Sequence, residues 1–178
     1  MPQKNAAKMS KTNSSLLIIL SIFSTFHAVA QDVYDQKGEN EIHRLFLDDH
    51  YLIEAVFLEN PAKFISTRGG FYSSTNEGFQ VKFEFNSDFE IDGLKMAHYN
   101  LDASWEKINS PSLDLEGKWQ MGGRINESSI SRRDTSNARK KNKVLFKGHF
   151  QWIAYHIETM KFSDTGGGQY VIQDGKYT

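Results

Sequence analysis

The sequence predicts an all-β chain whose antiparallel strands form an up-and-down barrel or a strongly curved sheet. Between Glu77 and Phe85, apolar side chains alternate with polar ones and share one face, which is the two-residue period of a half-buried strand. Residues 149–156 (HFQWIAYH) are largely apolar on both faces, as in a strand that is covered on both sides or lines a cavity. After Gln31, no segment has the 3.6-residue apolar period of a helix.

Turn residues and one polar stretch separate these strand segments. Asp174-Gly175 follows the segment QYVIQ and is a strong hairpin signal, so residues 176–178 begin a partner strand. Pro61 suits at most a first helical turn within residues 60–64. Residues 126–142 have no apolar pattern and are predicted to form a long loop. This loop carries a basic cluster of Arg132, Arg133, Arg139, Lys140 and Lys141.

Length and composition restrict the class of protein. The chain has 178 residues, no cysteine and a formal charge of −1. Its first 30 residues hold three lysines and no acid, so the other 148 carry 18 basic and 22 acidic side chains, a net charge of −4. A mildly acidic chain is a poor partner for nucleic acid. The absence of cysteine excludes a disulfide scaffold, a thiolate metal site and a cysteine nucleophile.

Residues 1–30 have the parts of a secretory signal peptide. Lysines at the start precede a short apolar run, residues 16–26, and the segment ends in Ala28-Val29-Ala30. A helix of that run covers roughly 16 Å, too little for a bilayer core of about 30 Å. We therefore expect cleavage before Gln31, no stable membrane span afterwards and a secreted or periplasmic protein. A membrane anchor or a buried helix is the alternative.

Two segments of the chain, residues 45–81 and 145–178, resemble each other. Leu45-Phe46 is placed against Leu145-Phe146, and five further positions match at a constant separation of 98. These positions are Phe64, Thr67, Gly69, Gly70 and Tyr72, matched by Phe162, Thr165, Gly167, Gly168 and Tyr170. The similarity predicts a first β repeat over residues 31–112 and a second over 113–178, closing either one barrel together or two. Two unrelated hairpins with similar turn requirements are the alternative.

Two further expectations come from the paired glycines and from the length of the second segment. Gly69-Gly70 and Gly167-Gly168 are expected to allow a bulge or a sharp bend in a strand. The second segment stops three residues after its Asp-Gly turn. We therefore expect the second repeat to be incomplete.

Gly117-Lys118-Trp119, at the start of a strand segment, resembles the beginning of a lipocalin-like (calycin) barrel. Residues 115–178 are similar to small secreted lipocalin-like proteins of uncharacterised function from Bacteroidetes-type bacteria. The resemblance implies an antiparallel up-and-down barrel, in which Trp119 with Gly117 forms a structural plug at the closed end. It also implies an interior that holds a small ligand or is filled with side chains.

Aromatic residues are the candidate ligand contacts, because in a small barrel they either fill the core or line a cavity. The candidates are Trp152, Tyr170, Phe162, Phe64 and Tyr72. We expect no metal site, since His149 and His156 lie seven residues apart on one strand and point to opposite faces. We also expect no cofactor and no catalytic residue.

The sequence thus predicts a non-catalytic, lipocalin-like module that binds a small apolar or amphipathic molecule. The alternative is a structural or interaction protein of the cell envelope with a filled barrel. In either case the basic segment, residues 132–141, is a candidate contact for anionic lipid or polysaccharide, or for an envelope partner.

Overall fold

The computed structural model describes residues 31–178. The predicted signal peptide lies outside these residues and stays a prediction. Strands make up 60% of the structure and helix 3%, and every strand pairing is antiparallel. The all-β, antiparallel prediction is confirmed.

The first half of the described chain forms one seven-stranded sheet. Its strands are β1 (Asp32–Lys37), β2 (Ile42–Leu47), β3 (Tyr51–Leu58), β4 (Lys63–Thr75), β5 (Gly78–Asn86), β6 (Met96–Tyr99) and β7 (Glu106–Lys107). They lie in the order β6-β5-β4-β3-β2-β1-β7. A single helical turn, α1 (Phe89–Asp92), connects β5 to β6. The sequence pattern did not predict this turn.

The second half forms a four-stranded sheet and two small hairpins. Its strands are β8 (Gly117–Gln120), β9 (Gly123–Asn126), β10 (Ser129–Arg132), β11 (Arg139–Phe146), β12 (His149–His156), β13 (Lys161–Gln169), β14 (Ile172–Gln173) and β15 (Lys176–Tyr177). The sheet order is β13-β12-β11-β8, while β9 pairs with β10 and β14 with β15. The hairpin at Asp174-Gly175 is confirmed. The long loop predicted over residues 126–142 is wrong, because β10 and the start of β11 lie within it.

Within residues 31–178, the sheets do not close into a barrel. The strands β6 and β7 are free edges of the larger sheet, and β13 and β8 are free edges of the smaller one. The barrel alternative is therefore wrong for the described chain. Each sheet instead covers its apolar face by packing against the other.

The main core lies between the two sheets. Phe46 packs on Phe146 with ring centroids 6.3 Å apart, and Phe85 packs on Tyr155 at 4.8 Å. Nine buried residues form this cluster. They are Val33, Phe46, Tyr51, Ile53, Phe85, Val144, Phe146, Ile153 and Tyr155. A second cluster, which includes Leu45, Leu52 and Val81, covers the other face of the seven-stranded sheet.

The units β2-β3-β4 and β11-β12-β13 have the same register at a separation of 98 residues. Leu52 pairs with Gly70 in the first unit, as Phe150 pairs with Gly168 in the second. The pairing shifts between Val56 and Phe57, and at the corresponding place between residues 154 and 155. Leu47, opposite Leu52, therefore corresponds to Leu145, opposite Phe150. The sequence alignment of Leu45-Phe46 with Leu145-Phe146 was displaced by two residues.

A bulge divides the side chains of β5 between the two core clusters. Gly69 pairs with Phe85 and Gly70 with Phe83, so Glu84 is an extra residue on β5. Phe83 lies in the outer cluster and Phe85 in the cluster between the sheets. The prediction that all four apolar residues of this strand share one face is wrong. The reason is the close approach of β5 to Gly70, where a Cβ would lie 2.0 Å from the carbonyl oxygen of Lys82.

Candidate functional site

An apolar pocket of about 350 Å³ lies between the two sheets. The strands β3 and β4 form one wall, and β12 and β13 form the other. Its apolar walls include Phe46, Val56, Phe57, Leu58, Phe64 and Phe150. A pocket of this volume falls within the range that small-molecule sites occupy, about 300–1,000 Å³.

Three consecutive residues of β13, residues 166–168, are glycines and line the pocket. A Cβ at Gly166 or Gly168 would face the rings of Trp152 and Phe150, so Gly167 is the residue of the run that presents backbone on the side of Gln151. The strand β12 lies close behind these glycines: a Cβ on Gly167 would come within 2.9 Å of the carbonyl oxygen of Phe150. The glycine run thus allows a close approach of two strands. The bulge or bend expected at Gly167-Gly168 is not seen as a register shift, because these glycines pair regularly with β12.

Gln151 is the most deeply buried polar residue of this pocket and is 3% exposed. Its Nε2 donates hydrogen bonds to Thr67 Oγ1 at 2.9 Å and to Thr165 Oγ1 at 3.1 Å. The amide therefore links β4 of the larger sheet to β13 of the smaller one. Among the described residues, no group donates to Gln151 Oε1.

The two threonines determine which way the Gln151 amide points. Thr67 Oγ1 donates to the carbonyl oxygen of Glu54 at 2.7 Å, and Thr165 Oγ1 donates to that of Trp152 at 2.6 Å. Each hydroxyl has a single proton, so both threonines are left as acceptors for Gln151. The amide nitrogen must therefore face them, and the free oxygen of Gln151 is an acceptor that lacks a donor.

Two cations lie at the pocket wall, Arg44 and Lys63, and Arg44 is paired with a carboxylate. Arg44 donates from Nε and Nη2 to the two carboxylate oxygens of Asp35, at 2.8 and 2.7 Å. Its guanidinium also lies 5.3 Å from the ring centroid of Phe57. The pocket therefore combines apolar surface with the unpaired acceptor of Gln151 and the cation of Lys63, which suits a molecule with an apolar body and a polar end.

The structure brings together only two of the five predicted aromatic contacts. Phe64 lines the pocket and stacks on Phe162 with ring centroids 5.9 Å apart. Tyr72 donates to the carbonyl oxygen of Asp48 at 2.7 Å, outside the pocket. Tyr170 is buried against Tyr177, and burial raises its pKa to about 12. Trp152 lies on the opposite, outer face of β12.

Trp119 lies on the edge strand β8, where its side chain is 52% exposed. Its Nε1 donates to the carbonyl oxygen of Leu115 at 2.9 Å, and Gly117 has a φ of 148°. The glycine and the tryptophan therefore form a local turn at the start of β8. They do not plug the end of a barrel, because the described sheets form none.

A second cavity, which we call the basic cleft, lies on the outer face of the four-stranded sheet and has a volume of about 650 Å³. Six cationic side chains line it: Arg124, Arg132, Arg133, Arg139, Lys140 and Lys141. Asp164 is the one acidic residue among the described residues of its wall. The indole of Trp152 forms part of the floor, with Lys141 Nζ 4.4 Å from the ring centroid.

A buried carboxylate, Glu54, lies outside both cavities. It accepts hydrogen bonds from Arg68 Nε at 2.7 Å and Tyr99 OH at 2.8 Å, and its Oε1 lies 2.9 Å from Nδ1 of His43. Burial raises the pKa of Glu54, but the charge of Arg68 and these hydrogen bonds outweigh it and hold the pKa below its ordinary value. Because its partners satisfy it, Glu54 is a structural group that joins β2, β3, β4 and β6.

Comparisons of this chain with protein-family models, with curated proteins and with solved structures find no match. The lipocalin-like resemblance therefore stays a prediction. In residues 31–178, no three histidine or carboxylate side chains are grouped so that they could hold a metal ion. No helix of that part of the chain is long and apolar enough to cross a bilayer.

Sequence reasoning missed Gln151, although a signal for it exists. The buried face of β12 carries His149, Gln151, Ile153 and Tyr155 at alternate positions. A glutamine between buried residues of a strand is a polar group that needs partners. The sequence singled out its partners, Thr67 and Thr165, only as matching positions of the repeat and gave no sign that they contact Gln151.

Proposed function

We propose that this protein binds a small amphipathic molecule in the pocket between its sheets and has no catalytic activity. The observation that carries the proposal is the unpaired Oε1 of buried Gln151. The ligand would place its apolar body against the phenylalanines of the pocket and donate one hydrogen bond to this oxygen.

Two physical arguments support this ligand class. Burial of apolar surface provides most of the free energy of binding, about 25 cal/mol per Å². An unsatisfied buried acceptor costs about 1–3 kcal/mol, so a donor on the ligand recovers energy that an ether or an alkane does not. The amphipathic alternative is therefore favoured over a purely apolar molecule.

The test compares two probes that differ in one donor, 1-octanol and octyl methyl ether, by isothermal titration calorimetry. We expect octanol to bind about fivefold more tightly, since a neutral hydrogen bond contributes about 1 kcal/mol. Gln151→Met retains the apolar volume but removes the acceptor, so the preference for octanol should disappear. Gln173→Met, the same substitution at an exposed position, should leave the preference unchanged.

Two results would refute the proposal. One is the absence of binding heat for both probes at concentrations where the pocket should fill. The other is an equal preference for octanol in the wild-type protein and in Gln151→Met. The second result would place the alcohol elsewhere on the protein.

The predicted export and the predicted repeat are part of the same proposal. N-terminal sequencing of the exported protein should begin at Gln31. The shared register of β2-β3-β4 and β11-β12-β13 supports a duplicated unit, including its threonine hydroxyl bonds at Thr67 and Thr165. The binding proposal does not depend on a lipocalin-like barrel, because the pocket lies between two open sheets.

A further inference from the structure

The hairpin of β9 and β10, which borders the basic cleft, exposes a pair of isoleucines. Ile125 and Ile130 lie directly opposite each other in the hairpin and are 83% and 65% exposed. A two-stranded hairpin is marginally stable in water without a covered face. Neither isoleucine belongs to a core cluster, so folding of the described chain does not account for them.

Positive charge is concentrated beside this pair. Residues 121–143 hold seven cationic and two acidic side chains, a net charge of +5. The rest of the described chain holds eleven and twenty, a net charge of −9. None of the six cations that line the basic cleft forms an ion pair with a described carboxylate. An anionic partner would relieve their mutual repulsion.

The aromatic residue of the cleft does not offer a free stacking face. Trp152 lies across Gly166, where a Cβ would come within 2.5 Å of its Nε1, and Lys141 covers its ring from 4.4 Å. A nucleobase or a sugar ring could stack there only by displacing Lys141. This arrangement favours recognition through charge over recognition through base stacking.

We propose that the β9–β10 hairpin and the basic cleft dock this protein on an anionic membrane surface. Ile125 and Ile130 enter the boundary between headgroups and acyl chains, while the surrounding arginines and lysines contact lipid phosphates. The acidic remainder of the protein then faces away from the membrane. An acidic polysaccharide would satisfy the cations but would leave the isoleucine pair exposed.

The test is co-sedimentation with vesicles of phosphatidylcholine, with and without about 30% phosphatidylglycerol. It uses the protein from Gln31 onward, which contains both sheets and both core clusters. We expect binding to the anionic vesicles and a strong loss of binding at 1 M NaCl, where the Debye length falls to about 3 Å from about 10 Å at 0.1 M. Removing one cation should weaken binding about fivefold, so Arg124→Gln with Arg132→Gln should weaken it roughly 25-fold.

Matched variants separate the hairpin from nonspecific effects. Ile125→Ser should weaken vesicle binding roughly tenfold because it removes an inserted apolar side chain. Ile91→Ser changes an equally exposed isoleucine, at 87%, on α1 and should change nothing. Lys82→Gln with Lys95→Gln removes two exposed cations of the acidic part and should have a much smaller effect than the arginine pair.

A different set of results would overturn the proposal. Failure to bind anionic vesicles would refute it. So would binding to dextran sulfate that exceeds vesicle binding and is unchanged by Ile125→Ser, because the partner would then be a polyanionic chain. Equal binding of the Ile125 and Ile91 variants to vesicles would show that the hairpin does not insert. Far-UV circular dichroism of each variant confirms that the sheets remain folded.

Discussion

Replacing Gly70 with alanine tests whether the bulge in β5 depends on a missing side chain. A Cβ at Gly70 would lie 2.0 Å from the carbonyl oxygen of Lys82 and 2.8 Å from the amide nitrogen of Glu84. Both atoms belong to the backbone of β5, so no rotamer change relieves the contact. The strands β4 and β5 must therefore move apart by about 1 Å, since real Cβ contacts do not fall below 3.0 Å.

This displacement gives the magnitude of the effect. A hydrogen bond of about 2.9 Å that lengthens by 1 Å is lost. Two or three ladder bonds flank the bulge, and each contributes about 0.5–1.5 kcal/mol. We expect Gly70→Ala to lower the free energy of unfolding by about 3 kcal/mol.

Gly168 is the matched control, because it occupies the corresponding place in the other sheet. It pairs with Phe150 as Gly70 pairs with Leu52, but within residues 31–178 no strand pairs with its other side. A Cβ there would lie 3.5 Å from the Phe150 ring, an ordinary van der Waals contact. Gly168→Ala should therefore leave stability unchanged or raise it by up to about 1 kcal/mol, through the lower entropy of the unfolded chain.

Equilibrium urea unfolding of the three proteins, followed by far-UV circular dichroism, measures these differences. Equal losses for the two alanine variants would contradict the reasoning, because the close approach of β5 would then not be the cause. A loss below about 1 kcal/mol for Gly70→Ala would show that the bulge relaxes around the added methyl group.

Two further outcomes follow from contacts in the structure. The pKa of Glu54 is below its ordinary value of 4.5. Its contribution to stability is therefore complete above pH 4.5 and is lost as the pH falls through the lower folded-state value. Glu54→Gln should lower the free energy of unfolding by roughly 2–3 kcal/mol at pH 7 and remove this part of the acid dependence, as measured by urea unfolding between pH 2 and 7. Gly166→Ala should displace the Trp152 indole from Lys141, because the new Cβ would lie 2.5 Å from Trp152 Nε1. We expect a shift of the tryptophan emission with little loss of stability. An emission spectrum identical to that of the wild-type protein would contradict the placement of the ring.

Local patterns in the sequence predicted some of the strands, among them β5, β12 and the β14–β15 hairpin. Residues 149–156 and the Asp174-Gly175 hairpin were identified because side-chain alternation and turn chemistry depend on neighbours along the chain. The prediction of a loop over residues 126–142 was wrong because β10 is exposed on both faces. A strand of this kind has no apolar period that a sequence pattern could reveal. The sequence around Glu84 also does not indicate the bulge, since the bulge is caused by the pairing with a neighbouring strand.

The sequence predicted the residues of the candidate site less well than it predicted the strands. Phe64 and the glycines of residues 167–168 were singled out and do line the pocket. Trp152 and Tyr170 were singled out with them but lie elsewhere. An aromatic residue in a strand can face either side of a sheet, and the sequence does not say which side another sheet will cover.

By itself, the sequence determined that this chain is built of antiparallel strands, because side-chain alternation and turn chemistry arise between near neighbours. Only the tertiary structure decided that two open sheets face each other instead of closing into a barrel. It also decided that Gln151 meets Thr67, 84 residues away, and that one oxygen of Gln151 has no donor among the described residues. Such a contact depends on which faces become buried together, and that is settled by packing across the whole chain.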